Sequence, residues 1–340
     1  MASTDLPAAR QAQDQKTHIQ TAQEHTSTSP APHLKIRFWG VRGSYPVPGA
    51  QTVKYGGNTS CVEIRNTAHR IILDAGTGII SLGDSIVAEY RRQMRSTASS
   101  SNEPLTLTIL LSHTHHDHIQ ALPFFQPAYM SDTRLHVYGP QLLGINLRES
   151  ISQLMTERYC PIRLEELNAH KVIENLSDTD KLVFRDSSAV PERYGVRQPV
   201  TTTNECLMVT VMHSYAHPKD GVFVFKVANN GRRVVYATDT EGYAGGDSRL
   251  IEFAQGADVL IHDAQYTKEE YADPHSPRQG FGHSTVDMAC EVARKAKVGR
   301  LILFHHDPRH NDEYLDSIQT YGRTIFSETY AAHEGMEIDL

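Results

Sequence analysis

The chain is short of the features that mark membrane proteins, secreted scaffolds and nucleic-acid binders. Its four cysteines, Cys61, Cys160, Cys206 and Cys290, are scattered over 340 residues with no Cys-x-x-Cys pair. That spacing excludes a disulfide framework or a structural zinc ribbon, and fits buried free thiols in a reducing cytoplasm. No apolar run approaches the ~20 residues needed to cross a bilayer, so no membrane association is expected. Residues 1–32, rich in Ala, Gln, Thr and Ser, have neither the basic start nor the apolar centre of a signal peptide. They are expected to form a disordered extension ahead of a single domain over 33–340. Cations are not in excess either: 33 Lys and Arg against 40 Asp and Glu leave a net charge of -7. This excludes a global electrostatic funnel for a nucleic-acid backbone.

What the chain does have is enough apolar residue for a large α/β core, 39% against 21% charged, and an unusual 19 histidines. Several converge in the stretch LTLTILLSHTHHDHIQALPFF. Its first half is an apolar, β-branched run of the kind that forms a buried strand. His113, His115, Asp117 and His118 follow at once, with a helix expected from near Ile119. Imidazoles and a carboxylate suit Zn²⁺ and related metals, and one loop of this kind can offer two ligands to each of two ions. The competing reading is a His-rich loop without metal.

The remaining segments repeat one theme, an apolar strand that ends in His or Asp. LKIRFWGVRG, CVEIR and RIILDAGTGI read as strands, the last leading into a helix over 79–94. RLHVYGP, CLMVTVMHSYAHP and a hairpin turning at Asn229, Asn230 and Gly231 follow, with ALPFFQPAY continuing the helix after the metal loop. NLRESISQLMTERY has helical spacing, and 178–205 is polar enough to be one long surface loop. VLIHDAQY is a strand, STVDMACEVARKAKVG a helix capped by Ser284 or Thr285, and RLILFHHDPRH a final strand. Such a pattern gathers the polar groups along one edge of the sheets.

HTHHDH resembles the metal motif of the metallo-β-lactamase superfamily. The resemblance implies an αββα sandwich, two mixed sheets face to face with helices outside, and a centre of two divalent metals, zinc first, with manganese or iron also suited. Asp239, at the end of VVYATD, is the candidate bridging carboxylate. His217 matches the superfamily's step to VFVFKV better than His213 and is the expected third ligand of one metal. His305, the first His of LFHHDPR, is expected on the other, which leaves His306 for the cleft.

VLIHDAQY and GHST resemble paired segments of ribonuclease Z-type phosphodiesterases, in which a carboxylate orients a His that protonates the leaving oxygen. Here these are Asp263 and His283, with Asp where that group usually has Glu. Together with a metal-bridging hydroxide they imply phosphodiester hydrolysis. FWGVRGSYPVPG, YGGNTSCVEI, LDAGTG and LFHHDP are most similar to the small-substrate members, those acting on cyclic phosphates or cyclic nucleotides. Arg42 and Asn58 are expected to contact phosphate or sugar, and Tyr159 to cover a base or ribose. The tRNA-gripping arm of ribonuclease Z is absent between His217 and Asp239. A small phosphodiester is therefore the expected partner and nucleic acid is argued against. A homodimer in which a neighbour borders the cleft fits the same analogy. The metal centre alone also accommodates an ester, thioester or lactone hydrolase, an exonuclease, an iron redox centre or a sensor without turnover.

Overall fold

The computed structural model describes residues 34–96, 104–200 and 206–340, so the expectation for the first 32 residues lies outside the described residues. A first sheet is built from β1 (Lys35–Gly40), β2 (Cys61–Arg65), β3 (Arg70–Leu73), β4 (Leu105–Leu110), β5 (Thr133–Pro140) and β6 (His170–Leu176). A second contains β7 (Lys181–Phe184), β8 (Glu192–Tyr194), β9 (Leu207–Ser214), β10 (Val222–Asn229), β11 (Arg232–Ala237), β12 (Val259–Asp263), β13 (Arg300–Phe304) and β14 (Thr329–Ala331). The last strand, β15 (Glu337–Asp339), returns to the first sheet beside β1. The orders are β15-β1-β2-β3-β4-β5-β6 and β14-β13-β12-β11-β10-β9-β7-β8. Both sheets are mixed.

The inner faces meet in one core. Ile36, Phe38, Ile64 and Leu110 of the first sheet share it with Val209, Phe225, Tyr236, Ile261 and Phe304 of the second. The outer faces are covered by helices: α1 (Gly78–Ser96), the short α2 (His116–Ile119) and α3 (Leu147–Leu154) lie along the first sheet, and α4 (Ser248–Phe253), the short α5 (Lys268–Tyr271), α6 (Val286–Ala296) and α7 (Asp312–Ile325) belong to the second half. Caps fix where several begin. Asn146, Asp247, Thr285 and Asn311 each accept a hydrogen bond from a backbone N–H of the first turn. The metallo-β-lactamase αββα sandwich is therefore present as expected.

Strand direction places the site. β3, β4 and β5 run parallel, as do β11, β12 and β13. Polar residues following parallel strands collect at one edge, where α/β folds bind ligands. β4 is flanked by partners on both sides, and its last four residues, Leu107 to Leu110, are buried.

Several expectations need correction. Lys181–Phe184 and Glu192–Tyr194 are strands, because Leu182, Val183 and Phe184 gain burial by pairing with β9 that a polar reading of 178–205 overlooks. ALPFFQPAY forms two 3₁₀ turns, since Pro123 and Pro127 remove the donors a continuous helix needs. RLILFHHDPRH is followed by α7, β14 and β15 and so is not the final strand. Among the described residues no helix is long and apolar enough to cross a membrane.

Candidate metal centre

The loop after β4 delivers His113, His115, Asp117 and His118 to the shared edge. His217 follows β9, Asp239 follows β11 and His305 follows β13. They converge as His113, His115 and His217 on one side and Asp117, His118, Asp239 and His305 on the other. Asp239 lies between: Oδ1 is 3.8 Å from Nε2 of both His113 and His217 and 3.3 Å from Nε2 of His305, and Oδ2 is 3.1 Å from Nε2 of His118. Asp239 and His305 both occupy left-handed backbone, with φ of 51° and 61°. Non-glycine residues adopt that conformation at a cost, and here it turns both side chains off their strand ends toward the cluster.

The outer hydrogen bonds fix the ring tautomers. His118 Nδ1 donates to Asp74 Oδ2 at 2.8 Å, His217 Nδ1 to the Gly282 carbonyl at 2.9 Å and His305 Nδ1 to Gln265 Oε1 at 3.1 Å. Ser112 Oγ gives its proton to Asp74 and so accepts from His113 Nδ1 at 3.1 Å. Each of these rings therefore points a bare Nε2 inward. His118 Nε2 and His305 Nε2 are 3.2 Å apart, His217 Nε2 is 2.9 Å from His115 Nδ1, and His113 Nε2 is buried without a hydrogen-bond partner. Imidazole nitrogens facing one another at this range suit a shared cation. Ligand atoms on one tetrahedral zinc stand about 3.3 Å apart, so the donor set and its spacing fit divalent metal.

The electrostatics point the same way. Burial would raise the carboxyls of Asp117 and Asp239, but the surrounding imidazoles outweigh it and hold both well below the usual carboxylate range. Burial would lower His118, yet Asp239, Asp117 and Asp74 push it well above its ordinary value. Buried carboxylates held this strongly as anions suit a neighbouring divalent cation.

Beside the cluster, His283 Nδ1 donates to Asp263 Oδ2 at 2.7 Å, and its ring stacks on His305 with centroids 4.9 Å apart. Asp263 is fixed in turn by the N–H groups of Gln265 and Ser284 on Oδ1. Burial lowers the His283 pKa, but Asp263 and then Asp239 raise it to about 9. Two glycines permit this crowding. A Cβ on Gly43 would stand 2.3 Å from the His305 ring, and one on Gly282, whose φ is +87°, would stand 2.2 Å from His217 Nδ1.

Four expected substrate contacts lie elsewhere. Arg42 is fully buried and donates to the carbonyls of Gly56, Asp307 and His310, which makes it a strut between two loops. Asn58 donates through its backbone N–H and Nδ2 to Glu334. His306 Nε2 donates to the Ala332 carbonyl at 2.9 Å, and Tyr159 is 80% exposed in the turn after α3, outside the cluster. His213 is also outside, with Nε2 donating to the Asp220 carbonyl. Conversely, Asp74, Ser112, Gln265 and Gly282 support the cluster without having been singled out for it. Asp74 had a signal, because RIILD ends in a carboxylate as VVYATD does. Tyr236 also donates to it, at 2.7 Å.

The family model for the Beta-lactamase superfamily domain matches residues 69–306. The chain belongs to the metallo-β-lactamase superfamily. A ribonuclease Z from Picrophilus torridus is 26% identical over 90% of this superfamily member and 96% of its own length. A ribonuclease Z from Shouchella clausii is 32% identical over 63% of this chain and 76% of its own. The metallo-beta-lactamase fold protein YhfI from Bacillus subtilis has a TM-score of 0.58 at 20% identity, covering 91% of this chain and 100% of that one, which is a likeness of fold.

The ribonuclease Z-like branch of the metallo-β-lactamase superfamily therefore fits, and the chain is a hydrolase-family member with clusters suited to divalent metal. The same relatives overturn the expectation of a small substrate with nucleic acid argued against, because they are ribonucleases. Net charge sums over the whole surface and does not report the few cations beside a cleft. The absent arm was equally weak as an exclusion, since a hairpin turning at Asn230 and Gly231 fills that interval in a chain that still aligns over 90% of its length.

Proposed function

We propose that this protein is a two-metal phosphodiesterase that cleaves RNA. His113, His115 and His217 would hold one ion, Asp117, His118 and His305 the other, with Asp239 shared, and zinc is the ion best suited to this donor set. When bound, the metals supply Lewis acidity and a nucleophilic water at neutral pH. The chain's own residues do the rest. Asp74, Ser112, Gln265 and Gly282 hold the imidazoles in the tautomer that presents Nε2. Asp263 orients His283, which gives its proton to the departing ribose oxygen. The buried thiols of Cys61, Cys160 and Cys290 suit the reducing cytoplasm in which we place the protein.

The observation that carries this reading is the 2.7 Å His283–Asp263 pair stacked against the metal cluster. An alkoxide leaves poorly without a proton, so a positioned acid is needed for a phosphodiester of RNA. RNA as the substrate is supported by the relatives named ribonuclease Z. The test compares wild type with His283→Ala, after metal analysis of both, on an RNA oligonucleotide and on bis(p-nitrophenyl) phosphate. Two metals per chain in both proteins are expected, with RNA cleavage by the variant reduced about 10²- to 10⁴-fold. The nitrophenyl ester should suffer less, because p-nitrophenolate leaves unprotonated. Equal losses on both substrates would remove the acid role from His283.

A further inference from the structure

A cavity of about 600 Å³ opens beside the metal cluster, with His217 in its wall and Tyr215, Lys219, Tyr243 and Tyr271 around it. Tyr215 is 70% exposed and Tyr243 51%, although each is attached to the site by a short piece of chain. Tyr215 stands two residues before His217, and Tyr243 four after Asp239. Large aromatic rings left in water need a reason when they stand together at a cavity mouth.

The surroundings hold the Tyr215 ring and the backbone that carries Tyr243. One side of the Tyr215 ring is braced by His213, centroids 4.3 Å apart, and His213 is braced by Phe223 at 5.4 Å and by its bond to the Asp220 carbonyl at 2.8 Å. This accounts for His213, which the metal cluster does not use. The Tyr243 carbonyl accepts from Gly246 N–H at 2.8 Å, closing a tight turn. Tyr271 donates to Glu241, whose other oxygen accepts from Gly282 N–H at 2.9 Å, so the back wall is tied to the segment that carries His283. Lys219 is exposed and has no ion pair among the described residues.

Aromatic faces with a free cation, within reach of a phosphodiester-cleaving centre, have the composition of a site for single-stranded nucleic acid. The volume lies within the range that holds a ligand of nucleotide size. We propose that this cavity is a stacking subsite for an unpaired RNA base flanking the scissile phosphate, with Tyr215 and Tyr243 as platforms and Lys219 pairing with a neighbouring phosphate. This rests on the RNA-cleaving reading above. Because every base offers a π-face, the subsite selects unpaired over paired RNA and discriminates little among the four bases.

The experiment measures steady-state cleavage of an RNA oligonucleotide and of the same oligonucleotide with abasic residues on both sides of the cleaved bond. The metal-loaded wild type is compared with Tyr215→Ala/Tyr243→Ala and with Tyr215→Phe/Tyr243→Phe. On intact RNA the double alanine variant should lose about 10- to 100-fold in kcat/KM, mostly through KM, and the phenylalanine variant should retain wild-type values. The wild type should lose a similar factor on the abasic oligonucleotide, and the alanine variant should lose no more there. Wild-type values for the alanine variant on intact RNA would overturn the subsite alone. A parallel loss on both oligonucleotides would do the same, by reporting a structural defect. Hydrolysis of bis(p-nitrophenyl) phosphate by wild type without any RNA cleavage would overturn the RNA reading, and the subsite with it.

Discussion

Two histidine-rich loops follow buried parallel strands in this protein, 113–118 after β4 and 305–310 after β13, and they use the same residue types in opposite ways. In the first, the Nδ1 atoms of His113 and His118 bond outward to Ser112 and Asp74 and leave their Nε2 atoms facing the cluster, with buried carboxylates among them. In the second, His305 joins that cluster, but His306 and His310 give their Nε2 protons to the Ala332 carbonyl and to Glu270 Oε1. Arg42 then ties the same loop to 41–58 through two carbonyls. A histidine is thus a ligand candidate or a bracket according to which nitrogen the surrounding chain has already engaged. Residue type and spacing do not distinguish the two.

The sharpest way to break this comparison is to remove the carboxylate on which the first cluster centres. Asp239→Asn should abolish retention of two metals, read by metal analysis, and should lower RNA and bis(p-nitrophenyl) phosphate turnover by more than about a thousandfold. Unchanged metal content would mean that the converging Nε2 atoms have another purpose. Next in size is Asp74→Asn, which touches no proposed metal but deprives His118, Ser112 and Tyr236 of a shared acceptor. Metal affinity should weaken about 10- to 100-fold in a competition titration against a chelator, as when other ligand-orienting carboxylates are lost. An unaltered affinity would detach the outer hydrogen bonds from the cluster's function. The smallest effect belongs to the other loop. His306→Leu leaves the buried Ala332 carbonyl unsatisfied and should cost about 1–3 kcal/mol in urea unfolding, with metal content unchanged. A loss of metal in that variant would place His306 with the ligands and dissolve the contrast.

The sequence by itself determined the parts of this protein that are local. A strand that must be buried, a hydrogen-bonding loop directly after it and the spacing of His113, His115, Asp117 and His118 within six residues are all written in one short segment. The family, the two-sheet class and most strands follow from such segments, because apolar periodicity and turn residues act over a few positions. Tertiary structure alone decided what each strand end meets. Two of the three carbonyls that Arg42 bonds lie 265 and 268 positions away, which no spacing rule encodes. Asp74 is a strand-end carboxylate like Asp239, yet their roles part because His118 presents Nδ1 to the one and Nε2 to the other. His305 and His306 are neighbours that a left-handed φ at His305 sends in different directions. β7, with the three apolar residues Leu182, Val183 and Phe184, is too short a run to stand out in a polar stretch, and pairing with β9 makes it a strand. Local chemistry proposes which groups can act, and the hydrogen bonds formed across the folded chain leave some of them unengaged and able to do so.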